Sequence, residues 1–282
     1  MNDLTLVVSS CDKYSDSWYP YFSLIKKFWP NHPDEIVLIT ENKKFSIDGL
    51  NIQVFNYSKN TTWSERLYRT LEQIKTKYIF FSLEDFFLLD YVKNEQVNQC
   101  IKWMNEDKNI AVFRMLASND VRLIDSKYGN FKYARSDIGF RLETQAALWN
   151  RRTLMNFLDL KENPWQFESI GTTRIKNTNK DFLWLYSEKS EDLKTSIFPY
   201  SICQSSGYGI AWGHWLWNNR KWFEKNDIFH VKYNRLGSLS QKTVLKRIKH
   251  LYSNNPTGFD KLIRPFWRVL VKLKRLFHSL LV

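Results

Sequence analysis

Short apolar runs alternate with amphipathic stretches along most of the chain. Leu4 to Ser9 (LTLVVS) is apolar and β-branched and gives way to Ser10-Cys11-Asp12-Lys13, which predicts a strand ending in a turn. From Ser17 to Trp29 apolar residues recur at helical spacing (Trp18, Tyr21, Phe22, Ile25, Phe28, Trp29) and stop at Pro30, as expected of a helix with one buried stripe. Glu35 to Thr40 (EIVLIT) predicts a second strand with a polar end, and Asn51 to Phe55 a short third. Ser64 to Lys75 reads as a helix, with Thr62 or Ser64 as N-cap and Glu65 in its first turn. Tyr78 to Leu88 (YIFFSLEDFFL) opens as a buried strand and then places two adjacent acids, Glu84 and Asp85, where it should end. A helix over 94–105 and a strand over Ile110–Leu116 follow. Beyond them the pattern predicts a strand over Gly139–Leu148, a short helix over Arg152–Leu160, strands over Asp181–Tyr186 and Ser196–Tyr200, and a flexible glycine-rich loop over Gly207–Gly213.

Strand–helix–strand alternation with polar strand ends implies parallel pairing and a doubly wound α/β sheet. Open sheets of this kind bind ligands beyond the C-terminal ends of their strands. Glu84 and Asp85 stand at such an end. An unpaired buried carboxylate is costly, so the pair points to a ligand or a metal. The plainer alternative is a strand running into a turn with two solvated acids.

Composition narrows the classes. The 282 residues suffice for one large domain or two small ones, and 43% hydrophobic residues supply a core. The 12 Trp, 14 Tyr and 20 Phe serve cores, sugar stacking and membrane interfaces equally. Net charge is +13, but Gln241 to Val282 hold ten Lys/Arg against one acid, a local +9, which leaves +4 for the first 240 residues. A nucleic-acid binder spreads its charge over a binding face; concentration at one terminus argues against that class. Cys11, Cys100 and Cys203 are odd in number and far apart, which favours reduced thiols in a cytoplasmic protein. The N-terminus lacks the pattern of a signal peptide, and no apolar run is long enough to span a membrane.

The basic segment has its own pattern. From Lys261, KLIRPFWRVLVKLKRLFHSLLV places Lys261, Arg264, Arg268, Lys272 and Arg275 on one face of a helix and Leu262, Phe266, Val269, Leu273, Leu276 and Leu280 on the other. A basic face with Trp267 beside it is what an in-plane membrane helix requires. Arg264, Trp267, Arg268, Lys272 and Arg275 are the expected contacts to an anionic membrane surface. A helix packed on the body or on a second subunit is the alternative. The expected division is residues 1–240 as a catalytic α/β domain and 241–282 as a membrane-association region.

Val7 to Asp12, Trp63-Ser64-Glu65-Arg66-Leu67, Tyr78 to Leu88, Gln145 to Arg151 and Glu162 to Glu168 together resemble bacterial GT-A-type glycosyltransferases of capsule, O-antigen and related surface-polysaccharide synthesis. The resemblance covers roughly residues 3–215. It implies a GT-A-like, Rossmann-type, mostly parallel sheet flanked by helices, and a nucleotide sugar bound over the ends of the first strands. It also implies an Asp-x-Asp motif that holds Mn²⁺ or Mg²⁺ against the diphosphate. This chain departs there, with Glu84-Asp85-Phe86 and no second Asp. Because hard cations keep waters and share phosphate ligands, one or two carboxylates can suffice; Asp85 is the first expected ligand and Glu84 the second. Many members have a late metal or phosphate contact where His214 stands, although a histidine among tryptophans is also commonly a packed one.

Sugar transfer builds negative charge on a diphosphate leaving group, which a cation must meet. Arg66, one turn into its helix, is a candidate, and the helix N-terminus adds partial positive charge; a surface ion pair is the alternative. Ser9, Asp12 and Thr40 lie where strands end and could hold a ribose or base, or simply shape turns. An inverting transfer also needs a base at the acceptor hydroxyl. Glu168, between aromatic Trp165 and Phe167 and after the Asn163-Pro164 turn signal, is the candidate, with Glu162 and Asp181 as rivals. The expectation is therefore a glycosyltransferase, peripheral on the inner face of the cell membrane, that moves a sugar from a nucleoside diphosphate to a lipid-linked glycan. A non-catalytic nucleic-acid-binding protein and a membrane scaffold with a degenerate transferase body are the alternatives.

Overall fold

The structure is a computed structural model that describes residues 3–189, 192–201, 209–211, 213–216, 218–229 and 231. The basic segment 241–282, with Arg264, Trp267, Arg268, Lys272 and Arg275, lies outside the described residues, as does the expected boundary at 240.

In chain order come β1 (Leu4–Ser9), α1 (Trp18–Phe28), β2 (Glu35–Thr40), β3 (Ile52–Asn56), α2 (Trp63–Gln73), β4 (Tyr78–Leu83), α3 (Asn94–Glu106) and β5 (Ile110–Ser118). Then follow β6 (Ile124–Asp125), β7 (Phe131–Tyr133), β8 (Ala147–Asn150) and α4 (Arg151–Phe157). After α5 (Pro164–Gln166), a π-helical turn (Phe167–Gly171) and α6 (Thr172–Arg174) come β9 (Asp181–Tyr186), β10 (Ile210–Ala211), β11 (His214–Trp215) and α7 (Asn219–Lys225).

Nine strands form one sheet in the order β3-β2-β1-β4-β8-β5-β9-β7-β6. β3, β2, β1 and β4 pair in parallel, as do β5 and β9. β8 enters antiparallel between β4 and β5. The α/β plan expected, a mostly parallel sheet flanked by helices, is thus the one observed. Successive strand residues face opposite sides, and both sides of this sheet are covered. Leu4, Leu6 and Val8 of β1 pack in one buried cluster with Trp18 and Phe22 of α1 and Val97 and Met104 of α3. Val7 packs in the other with Leu67 and Leu71 of α2 and Leu154 of α4. Double cover is why the central strands read as unbroken apolar runs rather than alternating ones.

Several expectations need correction. The strand expected over Gly139–Leu148 is only β8, because residues 140–146 form a crossing segment pinned by side chains rather than a ladder. Ser196–Tyr200 is not a strand: Tyr200 makes one isolated bridge to Leu88, and Ile197 N–H donates to the Met115 carbonyl beside β5. The glycine-rich stretch is, from Gly209 on, a tight hairpin of β10 and β11, with Gly209 and Gly213 at positive φ. β6 and β7, too short to carry a periodic signal, are additional.

Candidate functional site

The C-terminal ends of β1, β2 and β4 lie side by side, because Ser9 is in register with both Ile39 and Leu83. Thr40, the last residue of β2, is fully buried beside them. Polar groups crowd this edge. The Asp12 carboxylate accepts from Thr40 Oγ1 at 2.7 Å and from the amides of Glu41, Asn42 and Lys43 at 3.1–3.3 Å. Burial opposes the charge of Asp12, but those donors outweigh it and hold the carboxyl down at about 2. Asp12 therefore ties the turn after β2 to the turn after β1.

Glu41 continues the network. Its Oε2 accepts from the Asp12 amide at 2.7 Å and its Oε1 from Arg66 Nη1 at 3.0 Å. Arg66 thus stands in the first turns of α2, largely covered and paired with an acid. The N-terminus of α2 is fixed by the Thr62 hydroxyl, which accepts from the Glu65 amide at 3.1 Å. Trp63, the first residue of the helix, donates from Nε1 to Ser9 Oγ at 2.8 Å. So Ser9, Asp12, Thr40 and Arg66 are brought together, each held by a neighbour.

Glu84 and Asp85 follow β4 directly, in a turn closed by the Phe86 and Phe87 amides onto Leu83 and Asp85 carbonyls. Glu84 is only 6% exposed and Asp85 is half-buried. The half-buried Cys11 thiol is pushed up chiefly by desolvation, with the nearby charges of Glu84 and Glu41 adding to it. Phe87 stacks on Trp215 at 5.8 Å, and Trp215 Nε1 donates to Asp16 Oδ2 at 2.9 Å. The β10–β11 hairpin therefore leans on the acidic turn, and half-buried His214 is carried with it. No group of three or more His, Cys, Asp or Glu side chains converges on one point among the described residues, so Glu84, Asp85 and His214 do not form a protein-only cage. Two adjacent oxygen donors fit a hard cation that shares its remaining positions with phosphate and water.

A second polar group sits across the edge. Thr144, three residues before β8, donates from its amide and its hydroxyl to Glu168 Oε1 at 2.8 and 2.7 Å. Glu168 is buried in the π turn; desolvation pushes its carboxyl up, the Thr144 bonds and the nearby Arg114 charge pull against that, and the net shift is upward. Arg114, in the middle of β5, reaches Glu143 Oε2 at 3.2 Å and lies over the Trp184 ring at 4.8 Å. The π turn is seated closely, since a Cβ on Gly171 would meet Leu142 Cδ1 at 3.0 Å. Trp63 joins the two groups: it bonds Ser9 and its ring lies 5.4 Å from Phe167.

The rivals to Glu168 are placed differently. Glu162 is held by both guanidinium nitrogens of Arg174 at 2.6 and 2.9 Å, a bidentate pair that fixes the 157–174 segment. Asp181 opens β9 opposite Ile110, the first residue of β5, and so lies at the other edge of the sheet. Arg114, Glu143, Thr144 and Glu41 were given no role by sequence reasoning. Arg114 had a signal: a lone cation inside an apolar strand, the same anomaly that marks Glu84. Thr144 had none, because its role depends on a partner 24 residues away.

No family model matches the chain, and no curated protein matches it. Among solved structures it is similar to residues 1–349 of S. aureus TarS in complex with UDP-GlcNAc, at 13% identity and a TM-score of 0.42, over 68% of this chain and 60% of that one. It is similar to the mannosyltransferase PcManGT of Pyrobaculum calidifontis in complex with GDP-Man and Mn²⁺, at 11% identity and 0.45, over 66% and 54%. A cytidylyltransferase from Leptospira borgpetersenii gives 10% identity and 0.42, over 85% and 100%. The chain thus spans less than two thirds of the two glycosyl-donor complexes, and at such distance no residue correspondence follows.

Proposed function

We propose that this protein is a glycosyltransferase that takes a sugar from a nucleoside diphosphate, with UDP the expected nucleotide, and passes it to a lipid-linked oligosaccharide in surface-polysaccharide synthesis. The observation that carries the reading is the acid pair Glu84–Asp85, set directly after a central parallel strand where the ends of β1 and β2 and the start of α2 converge. Carboxylates at such a strand end stand where open α/β sheets bind their ligands.

Each part then has work to do. Asp12 holds the turn against which a nucleoside would lie. Arg66 and the N-terminus of α2 present positive charge toward the diphosphate. Glu84 and Asp85 would hold Mn²⁺ or Mg²⁺, which supplies neutralisation of the leaving group when bound. Glu168, its carboxyl raised by burial, takes the proton of the acceptor hydroxyl. Arg114 steadies the Glu143 and Glu168 side of the site. The basic segment 241–282 is read as the contact to the anionic inner face of the cell membrane, where a lipid-linked acceptor resides.

One observation favours a scaffold without turnover: Asp12 and Arg66 are both committed to internal partners. A thermal-shift panel separates the readings. UDP, GDP, CDP and CMP are tested with and without Mn²⁺ or Mg²⁺. A ligand specific to the folded state raises the midpoint by mass action. The transferase reading expects one nucleotide to stand out and the cation to enlarge its shift; no shift with any of them overturns it.

A further inference from the structure

Beyond the acid turn, around α7, aromatic rings come to the surface among lysines. Phe28, at the end of α1, meets Tyr91 edge-on at 5.3 Å and stacks on Trp222 of α7 at 6.2 Å. Lys225 lies over the Trp222 ring at 5.7 Å, and Lys27 reaches Asp227 at 3.9 Å. Tyr91 is 58% and Phe229 66% exposed, although both are large apolar side chains. α7 itself carries Arg220, Lys221 and Lys225 against one acid, Glu224. Its inner face is anchored: Phe223 packs on Phe87 at 5.2 Å, two residues past Asp85.

We infer that this face docks on an anionic lipid surface. Three features select that occupant. Aromatic rings with an apolar body and a polar tip are favoured at the water–lipid boundary. Arg220 pairs with Glu224 at 2.8 Å, and the remaining cations of α7, Lys221 and Lys225, match anionic headgroups. In the sequence, α7 is followed by the basic, amphipathic segment 241–282, whose excess of positive charge is poorly suited to covering a lysine-bearing face and well suited to sharing one anionic surface with it. The body then has a defined orientation: the α7 face lies against the lipid, one helix away from the acidic turn. This inference rests on the membrane reading above.

Co-sedimentation of the full-length protein with phosphatidylcholine vesicles, with and without phosphatidylglycerol, tests it. Three double variants are compared with wild type: Tyr91→Ser with Phe229→Ser, Lys221→Glu with Lys225→Glu, and, in the basic segment, Arg268→Glu with Lys272→Glu. Binding scales with inserted apolar area and with basic charge, so each of the first two pairs should weaken partition to the mixed vesicles roughly tenfold or more, with the thermal midpoint unchanged. Binding weakened only by the third pair overturns the inference and leaves the membrane reading in place. Wild-type protein that ignores both vesicle types overturns the two together. A Tyr91/Phe229 variant with a lower midpoint and unchanged vesicle binding would mean that the chain itself covers this face, which also overturns it.

Discussion

The parallel half of the sheet, β3-β2-β1-β4, and the mixed half, β8-β5-β9-β7-β6, furnish the same edge by different means. In the parallel half each polar group comes from the last residue of a strand or from the one to three that follow it: Ser9 and Asp12 at the end of β1, Thr40 and Glu41 at the end of β2, Glu84 and Asp85 after β4. Sequence proximity to a buried strand end fixes where they stand. In the mixed half the group is assembled across the chain. Arg114 comes from within β5, Glu143 and Thr144 from the crossing segment before β8, and Glu168 from the π turn. The first arrangement is set by short stretches of chain at each strand end, whereas the second depends on partners brought from distant parts of the chain. If the halves divide the chemistry into donor and acceptor sides, perturbing each should produce a distinct failure.

The largest effect is expected at the acid turn. Asp85→Ala should lower turnover by about 100-fold or more, since the charge that balances the leaving group is removed. The fold should survive, because β4 ends before Asp85. The check is turnover together with the thermal midpoint, and full activity in the variant would end the assignment. On the opposite side, Glu168→Gln should cost roughly 100-fold in turnover yet leave donor-induced thermal shifts intact. Its stability should move the other way. The Glu168 carboxyl is raised from 4.5 by burial, so its contribution is fully present below that value and lost as pH rises through the raised one. Gln accepts the same two Thr144 bonds without charge. The variant should therefore be at least as stable as wild type at neutral pH and show a flatter stability profile above about pH 4.5. Parallel loss of activity and stability would instead make Glu168 a structural residue.

The difference between the halves also explains what the sequence discloses. β1, β2, β4, β5 and β9 and helices α1 to α3 are doubly buried or strongly amphipathic, so local pattern suffices to find them. Thr62 as N-cap was legible for the same reason: its partner is three residues away. β8 was overextended because residues 140–146 alternate like a strand while their bonds go to side chains, as in the Leu142 amide to Thr172 Oγ1. The Ser196–Tyr200 run is apolar because it covers β5, not because it pairs in the sheet. Of the site, Ser9, Thr40, Glu84 and Asp85 followed from strand ends, but the partners of Asp12 and Arg66 did not. Glu41 links them by contacts across 25 residues or more.

Arg66 tests that link. Arg66→Met strands Glu41 and should destabilise the protein by about 1–2 kcal/mol, less than a fully buried pair would lose. If Arg66 also meets the diphosphate, the donor KM rises roughly tenfold. Glu41→Gln separates the two roles, since it spares the guanidinium and loosens only its seat. A donor KM that rises for Arg66→Met and barely moves for Glu41→Gln places Arg66 on the donor; equal changes make it a strut.

The smallest effect is the pH-dependent stability contributed by Asp12, and its sign follows from the bonds that hold it. Thr40 Oγ1 and three backbone amides prefer the carboxylate, so the folded state depresses its pKa from 3.8 to about 2. Stability from this group is complete above the unfolded value and lost as pH falls toward the folded one. After discounting for partial exposure, the contribution is about 1 kcal/mol. Asp12→Asn keeps an oxygen for most of those donors and removes the charge, so its stability should stay flat between about pH 4 and 2 while wild type declines. Asp12→Ala strands the buried Thr40 hydroxyl as well and should cost about 1–3 kcal/mol at neutral pH. Chemical denaturation across that pH range measures both. Because Asp12 also closes the turn that a nucleoside would rest on, the Ala variant should lose its nucleotide-induced thermal shift as it loses stability. A variant that is destabilised but keeps the full shift would confine Asp12 to the turn.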